Sequence, residues 1–205
     1  MSKSDNSPME VVPHPFAFRL LEVLRSTWIT PKMVRVTLGG DAIEGFRSDA
    51  PDDGARLYFP PDQDDWSWIP TLEGTRLVFP SEEQRPPGRE FTPRRFDPEA
   101  GEVDFEFVIH AGGPASDWAA NAEPGHKVGV SGPRRSRMIV GDVDWYLLAG
   151  DETGLPSIAR RLEELGRDES YRRRRGRRSF GPDRLPDRRR SGPDLGSEGR
   201  PGGAG

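Results

Sequence analysis

Residues 103–109 read Val-Asp-Phe-Glu-Phe-Val-Ile, and this alternation limits the fold more than any other stretch of the chain. Successive side chains of an extended backbone point to opposite sides. Val103, Phe105, Phe107 and Ile109 therefore share one face, while Asp104 and Glu106 are expected to face water. A strand with one apolar and one polar face belongs to a sheet buried on one side, the habit of antiparallel sheets. "MVRVTLGG" at 33–40 repeats the pattern with Val34, Val36 and Leu38 before a Gly-Gly stop. "ARLYFP" at 55–60 and "RLVFP" at 76–80 predict two more short strands, each closed by proline. The acidic "PDQDDWSWIPTLEG" between them predicts a loop insertion whose Trp66 and Trp68 fold back onto the sheet.

"REFTPRRF" and "EVDFEFVIH" flank "DPEAG", whose Asp-Pro and Gly mark a hairpin turn. "ASDWAANA" at 115–122 predicts a short helix, and "HKVGVSGP" predicts a further strand. Short strands at this spacing predict a six-stranded antiparallel β barrel over residues 15–140. The pattern then changes. "WYLLAG" at 145–150 is a continuous apolar run, as expected for a strand covered on both faces. "DETGLPSIARRLEEL" follows, with Leu155, Ile158, Leu162 and Leu165 at helical spacing and Pro156 near the start, where proline is tolerated. Residues 141–165 thus predict the opening strand and helix of an α/β nucleotide-binding domain.

From Gly166 the apolar period ends. Residues 166–205 hold 12 of the 30 Lys and Arg but only 6 of the 34 Asp and Glu. This composition cannot supply the buried strands of a βαβ unit and predicts a disordered Arg/Gly/Pro-rich tail. The acidic body disfavours a nucleic-acid surface, whereas the basic tail leaves one open. With no cysteine, disulfides, thiolate metal sites and thiol nucleophiles are excluded. Three histidines without matching carboxylate spacing predict no metal site. The N-terminus lacks the apolar core of a signal peptide, and no 18 apolar residues run together, so a cytoplasmic protein is expected.

One strand carries an unusual load. Within "GREFTPRRFD" at 88–97, Arg89, Arg94 and Arg95 stand beside Phe91 and Thr92, and alternation places Arg94 and Arg95 on opposite faces. "REFTPRRFD", "VIHAGGPASDWA", "VSGPRRS" and "LLAGDETGLPSIARRLEEL", in this order, resemble the siderophore-interacting proteins, a family of FAD-dependent ferric-siderophore reductases within the ferredoxin-reductase-like superfamily. The resemblance covers roughly residues 15–165 and implies FAD as cofactor, NADPH or NADH as hydride donor and a ferric siderophore as substrate. It implies that Arg89 and Arg94 face the FAD phosphates, that Phe91 lies against the isoalloxazine and that Thr92 hydrogen-bonds near its reactive nitrogen. By the same resemblance, His110, Gly112, Gly113, Pro114, Ala115, Ser116 and Trp118 form the second wall of the cofactor site. Asp151, Glu152 and Thr153 would approach the cofactor from the nucleotide-domain side. A buried dianion calls for guanidinium forks and backbone N–H groups in place of water, which is why such residue types suit a pyrophosphate. No side chain stands out as a general acid or base, which fits electron transfer.

Two departures from the family pattern stand out. Phe91 replaces a tyrosine, keeping the ring contact and losing a hydroxyl hydrogen bond worth roughly 0.5–1.5 kcal/mol. Past Gly166 the family would continue with more strands and helices of a nicotinamide domain. A frameshift in a GC-rich gene and a genuine basic tail binding nucleic acid or an acidic partner both account for the change. Its abruptness inside an incomplete domain favours the frameshift. The expected activity is then a reductase impaired by loss of its nicotinamide domain, with a flavin-binding module lacking turnover as the alternative.

Overall fold

A computed structural model describes residues 9–141 and 143–167. In chain order the strands are β1 (Met9–Pro13), β2 (Phe18–Thr30), β3 (Met33–Gly39), β4 (Ala55–Tyr58), β5 (Thr71–Glu73), β6 (Arg76–Val78), β7 (Gly88–Phe91), β8 (Pro93–Asp97) and β9 (Glu102–Val108). After them come helix α1 (Pro114–Ala120), β10 (Lys127–Ser131), β11 (Arg135–Ile139) and helix α2 (Leu155–Arg167). No helix among the described residues is long and apolar enough to cross a membrane.

The main sheet is antiparallel and runs β7-β4-β10-β2-β3-β9-β8, seven strands where six are expected. The difference lies in the 88–97 segment. Its first half pairs with β4 at one edge of the sheet and its second half with β9 at the other, with only Thr92 between them. Two edges joined by one residue must lie within a few ångströms of each other, so the sheet is curled until its edges nearly meet. A bent strand shared by both edges accounts for the extra count.

The alternation of β3 and β9 appears as expected. Val34 stands opposite Phe107, Val36 opposite Phe105 and Leu38 opposite Val103, and all six are 0–1% exposed. Together with Leu21, Val23, Leu57, Val128 and Val130 they form the core inside the curl. The outer face differs from expectation. Asp104 is buried and accepts a 2.6 Å hydrogen bond from the Thr37 hydroxyl, and Glu106 is bonded by Arg35 from the strand beside it. These carboxylates point outward, as the period requires, but arginines and helix α2 cover them. In the 97–101 turn the Asp97 carboxylate accepts from the N–H groups of Glu99 and Ala100, as the Asp-Pro signal predicts.

Three other expectations change. Arg76–Val78 pairs with β5, not with the main sheet, so the 60–80 insertion carries its own hairpin. Trp68 from that insertion is buried, its ring 6.0 Å from Phe18, and Trp66 stands beside it. β1 begins before the expected barrel boundary at residue 15 and pairs with β11. Residues 145–150 form no strand, and Trp145 and Leu147 are 74% and 78% exposed. An apolar run becomes a strand only against a neighbouring ladder, and none of the described residues offers one there. The tail from Asp168 lies outside the described residues, while the helix runs past Gly166 to Arg167.

Candidate functional site

The bend at Thr92 opens a cavity of about 670 Å³, in the size range of small-molecule and cofactor sites. Arg89, Phe91 and Thr92 form one wall and His110 with Gly112–Ser116 the second. Thr153 and Pro156 reach it from the start of α2. The structure therefore brings together most of the residues singled out in the sequence. Arg94, Trp118, Asp151 and Glu152 do not line the cavity.

Local chemistry explains each wall. Phe91 is half-buried at the edge of the core, its ring 4.6 Å from Phe107 and 6.0 Å from Phe59. Arg89 donates to the carbonyl of Gly88 at 3.0 Å and makes no ion pair with a carboxylate among the described residues. Its charge is therefore available to an anion. Gly112 has φ +77°, a left-handed conformation that favours glycine, and a Cβ on Gly113 would lie 2.6 Å from the His110 ring. The Ser116 hydroxyl accepts from the His110 N–H at 2.7 Å and donates to the His110 carbonyl at 2.8 Å. This reciprocal pair holds the 110–116 turn closed and commits the serine hydroxyl, so any ligand contact by Ser116 falls to its backbone. No side chain caps the first turn of α1, which starts at Pro114. Trp118 sits behind the cavity, packed on Phe59 and Phe107 at 5.4 and 5.9 Å, and serves as a core residue.

Arg94 and Arg95 depart from the alternation argument. β8 pairs Pro93 with Phe105 and then Arg95 with Asp104, a shift that makes Arg94 the extra residue of a bulge. Both arginines consequently reach the outer-face carboxylates of β9. Arg95 is bonded to Asp97 and lies 3.8 Å from Asp104 and Glu102, while Arg94 lies 3.6 Å from Glu106 and is bonded by two nitrogens to Glu163 of α2. Burial works against the Arg94 charge, but Glu163, Glu106 and Asp104 outweigh it and hold the group above its ordinary value. The structure thus separates two arginines expected to act together, placing Arg89 at the cavity and Arg94 at the helix.

The turn before α2 is organised by Asp151, whose carboxylate accepts from the Thr153 N–H at 2.9 Å and hydroxyl at 2.6 Å. Those bonds, the hydroxyl first, hold Asp151 below the ordinary aspartate value. Glu152 is exposed on the same turn. The helix turns a polar side to the sheet. Arg161 is buried, Leu155 and Leu162 are 45% and 57% exposed, and Ile158 and Leu165 are half-buried, so only part of the expected apolar stripe faces inward. A stripe pattern alone cannot say which side of a helix meets a neighbour when that neighbour offers many carboxylates and carbonyls.

A second cavity, about 1040 Å³, adjoins the first, and Asp52, Asp53, Gly54 and Glu90 line both. Arg56, Arg76, Arg85, Arg134, Arg135 and Arg137 line it. The Arg134 guanidinium lies 3.7 Å from the Phe16 ring centroid, and Arg85 and Arg56 lie 5.2 and 5.8 Å from Phe79 and Tyr58. Sequence reasoning missed this site. Its only local signal is "RRSR" at 134–137, where buried Ser136 separates two outward arginines, and the other arginines come from β4, β6 and the 80–87 loop. Beneath it the Ser136 hydroxyl donates to Asp53 at 2.7 Å and meets His14 Nε2 at 2.7 Å. With its proton on Asp53 and 0% exposure, Ser136 is a strut and not a nucleophile.

Comparison with known proteins follows the same division. A family model described as siderophore-interacting FAD-binding domain matches residues 22–137, and one described as siderophore-interacting protein matches 143–173, beyond Gly166 where the sequence reading places the departure. The chain is 42% identical over 151 residues to an Escherichia coli NADPH-dependent ferric-chelate reductase, covering 73% of this chain and 58% of that one. It is 31% identical over 148 residues to the Vibrio cholerae ferric vibriobactin reductase ViuB, covering 72% and 54%. The crystal structure of a siderophore utilization protein from T. fusca superposes with a TM-score of 0.70 at 42% identity, over 77% of this chain and 59% of that one. The chain thus spans somewhat more than half the length of the relatives it matches.

Proposed function

The chain belongs to the siderophore-interacting protein family, and from that premise we propose that it is an FAD-binding reductase acting on ferric siderophores. The observation that carries this reading is the guanidinium of Arg89, without a carboxylate partner among the described residues, lining a cavity walled by Phe91 and the 112–116 turn. That donor set fits FAD, with a cationic fork for the pyrophosphate, an aromatic edge for the ring and a glycine-lined turn that admits close backbone approach. Of the other lining carboxylates, Glu106 is neutralised by Arg35 and Arg94, Asp52 and Asp53 accept from Ser157 and Ser136, and Glu90 sets the end of the cavity that a phosphate would avoid. When bound, FAD supplies the exchange between a two-electron hydride donor and one-electron acceptors. Arg89 and the 112–116 turn bind the phosphates, Phe91 and Thr92 orient the ring, and Thr153 closes the site toward α2.

The adjoining arginine cavity suits the other substrate. Ferric siderophores in which deprotonated oxygens surround the iron are often anionic, and guanidinium groups above aromatic rings attract such a chelate while its organic arms stack. NADPH or NADH remains the proposed hydride donor. The described residues supply α2 and no parallel strands beside it, so they form no crevice for a dinucleotide. Hydride transfer needs a nicotinamide held at roughly 3–3.5 Å from the flavin. Reduction of the bound flavin by dithionite, followed as loss of its visible absorbance, tests the redox centre apart from any nicotinamide site. The test of the whole reading is simpler. The purified protein incubated with FAD should retain it through gel filtration and turn yellow, and a colourless protein that leaves FAD fluorescence unchanged would remove the basis of the proposal.

A further inference from the structure

We propose that Arg160 is a positioning residue: it latches α2 to the bent strand and thereby sets the Thr153–Pro156 wall of the flavin cavity. The inference rests on the FAD reading above for its functional consequence, and on the geometry alone for the latch.

Helices usually dock by burying an apolar stripe. Here Leu155 and Leu162 are exposed and Ile158 and Leu165 only half-buried, so much of the docking comes from the polar side. Arg160 Nη1 donates to the Ser48 hydroxyl and to the Pro93 carbonyl, both at 2.8 Å, and Nη2 donates to the Ser48 carbonyl at 3.1 Å. Pro93 adjoins Thr92, so this fork grips the chain at the bend where the cavity opens. One turn back along the helix stands buried Pro156, and before it Thr153, both on the cavity wall.

The remaining ties are weaker by their surroundings. Arg94 bonds Glu163, and Ser157 bonds Asp52, with Arg161 3.8 Å from the same Asp52. The Glu163 and Asp52 side chains are 46% and 65% exposed, where water screens most of an ion pair's attraction. Arg160 is more deeply enclosed, and burial pushes its guanidinium below the ordinary value. A charged donor committed to three oxygens in such a place outweighs a solvated pair. Lysine cannot reproduce the planar fork.

The experiment compares wild type with Arg160→Met, Arg160→Lys and Ser48→Ala, first without and then with FAD. In Arg160→Met, hydrogen exchange at the α2 amides should quicken by about tenfold or more, the equivalent of one charged hydrogen bond, while β3 and β9 amides keep their protection. The FAD Kd, read from flavin fluorescence, should rise by roughly 3- to 10-fold. Lysine should restore part of both, and Ser48→Ala, which spares the two carbonyl contacts, should give a smaller change in the same direction. A merely structural arginine would act independently of Thr153. In a cycle of Arg160→Met with Thr153→Val, the double variant should therefore bind FAD no more weakly than Arg160→Met alone. Unchanged α2 exchange in Arg160→Met with normal FAD binding overturns the latch. Quickened exchange with an unchanged Kd, or additive losses in the cycle, overturns the positioning role. Wild-type protein that binds no FAD fails the flavin reading itself and with it the cavity-wall role. Should Arg160→Met not fold, Arg160→Lys and Ser48→Ala carry the same comparison.

Discussion

The curled sheet and helix α2 are held by opposite means. Across the sheet, valines, leucines and phenylalanines with 0–1% exposure meet in register inside the curl. Across the helix contact, arginines meet hydroxyls, carbonyls and carboxylates while Leu155 and Leu162 stay outside. Apolar burial is non-directional and grows with area, so it makes the sheet strong and tolerant of small displacements. Hydrogen-bonded forks add little net stability but are directional, so they fix position to within a few tenths of an ångström. In this protein the strong element forms one wall of the candidate cavity, the 110–116 turn forms the second, and the directional element places the third.

Loss of a core ring should give the largest effect. Phe107→Ala removes a side chain packed on Phe91, Phe59 and Trp118, and should cost about 3–5 kcal/mol, read as a lowered urea midpoint. A cost below about 1 kcal/mol would mean that the sheet interior is not close-packed there. Next come the two arginines of the bent strand. Arg89→Ala should weaken FAD binding by about 10- to 100-fold, the range of a lost charge-assisted bond. Arg94→Ala should change the FAD Kd by less than about 3-fold and instead loosen α2, because its partner is Glu163. Equal losses of FAD affinity would show that Arg94 leaves Glu163 for the phosphate once the cofactor binds.

The pH response should sharpen the contrast further. Asp151 is held below its ordinary value by Thr153, so its contribution to the start of α2 is complete above about pH 4 and fades as pH falls through the lowered value. Protection of the α2 amides, taken relative to intrinsic exchange at each pH, should therefore fall below that point before that of β3 does. Asp151→Asn, which keeps an accepting oxygen, should abolish that early step. Early loosening that persists in Asp151→Asn would assign it to another group. The smallest effect should come from Leu162→Ala, within about 0.5 kcal/mol in urea denaturation, since that side chain is 57% exposed. A cost near that of a core leucine would place an apolar partner on the outer stripe of α2.

Most of the candidate cavity's walls were legible in the chain because each is a short local pattern. Alternation in 103–109 revealed the core face, Asp97 and Gly101 the hairpin, and Gly112-Gly113-Pro114 a turn into a helix. The same patterns carried the family resemblance, including Arg89, Phe91 and Thr92, which all line the cavity. These features follow from neighbours along the backbone, whose chirality and two-residue period every strand obeys.

Where the reading changed, the cause lay between segments far apart in sequence. One extra residue at Arg94 moved its guanidinium to the outer face, and only the pairing of β8 with β9 decides that. "WYLLAG" is apolar enough for a strand, yet among the described residues it meets no ladder to join. Six arginines surround one cavity because β4 of the main sheet, β6 of the inserted hairpin, the 80–87 loop and the start of β11 meet there. The polar docking of α2 likewise depends on which groups Ser48, Asp52 and Pro93 present to it. By itself the sequence determined most of the strands and turns of this protein and the residue types at its candidate cavity, since those depend on local backbone geometry. Tertiary structure alone decided which charges stay free and which are neutralised, because an ion pair depends on distances through space that no spacing along the chain specifies.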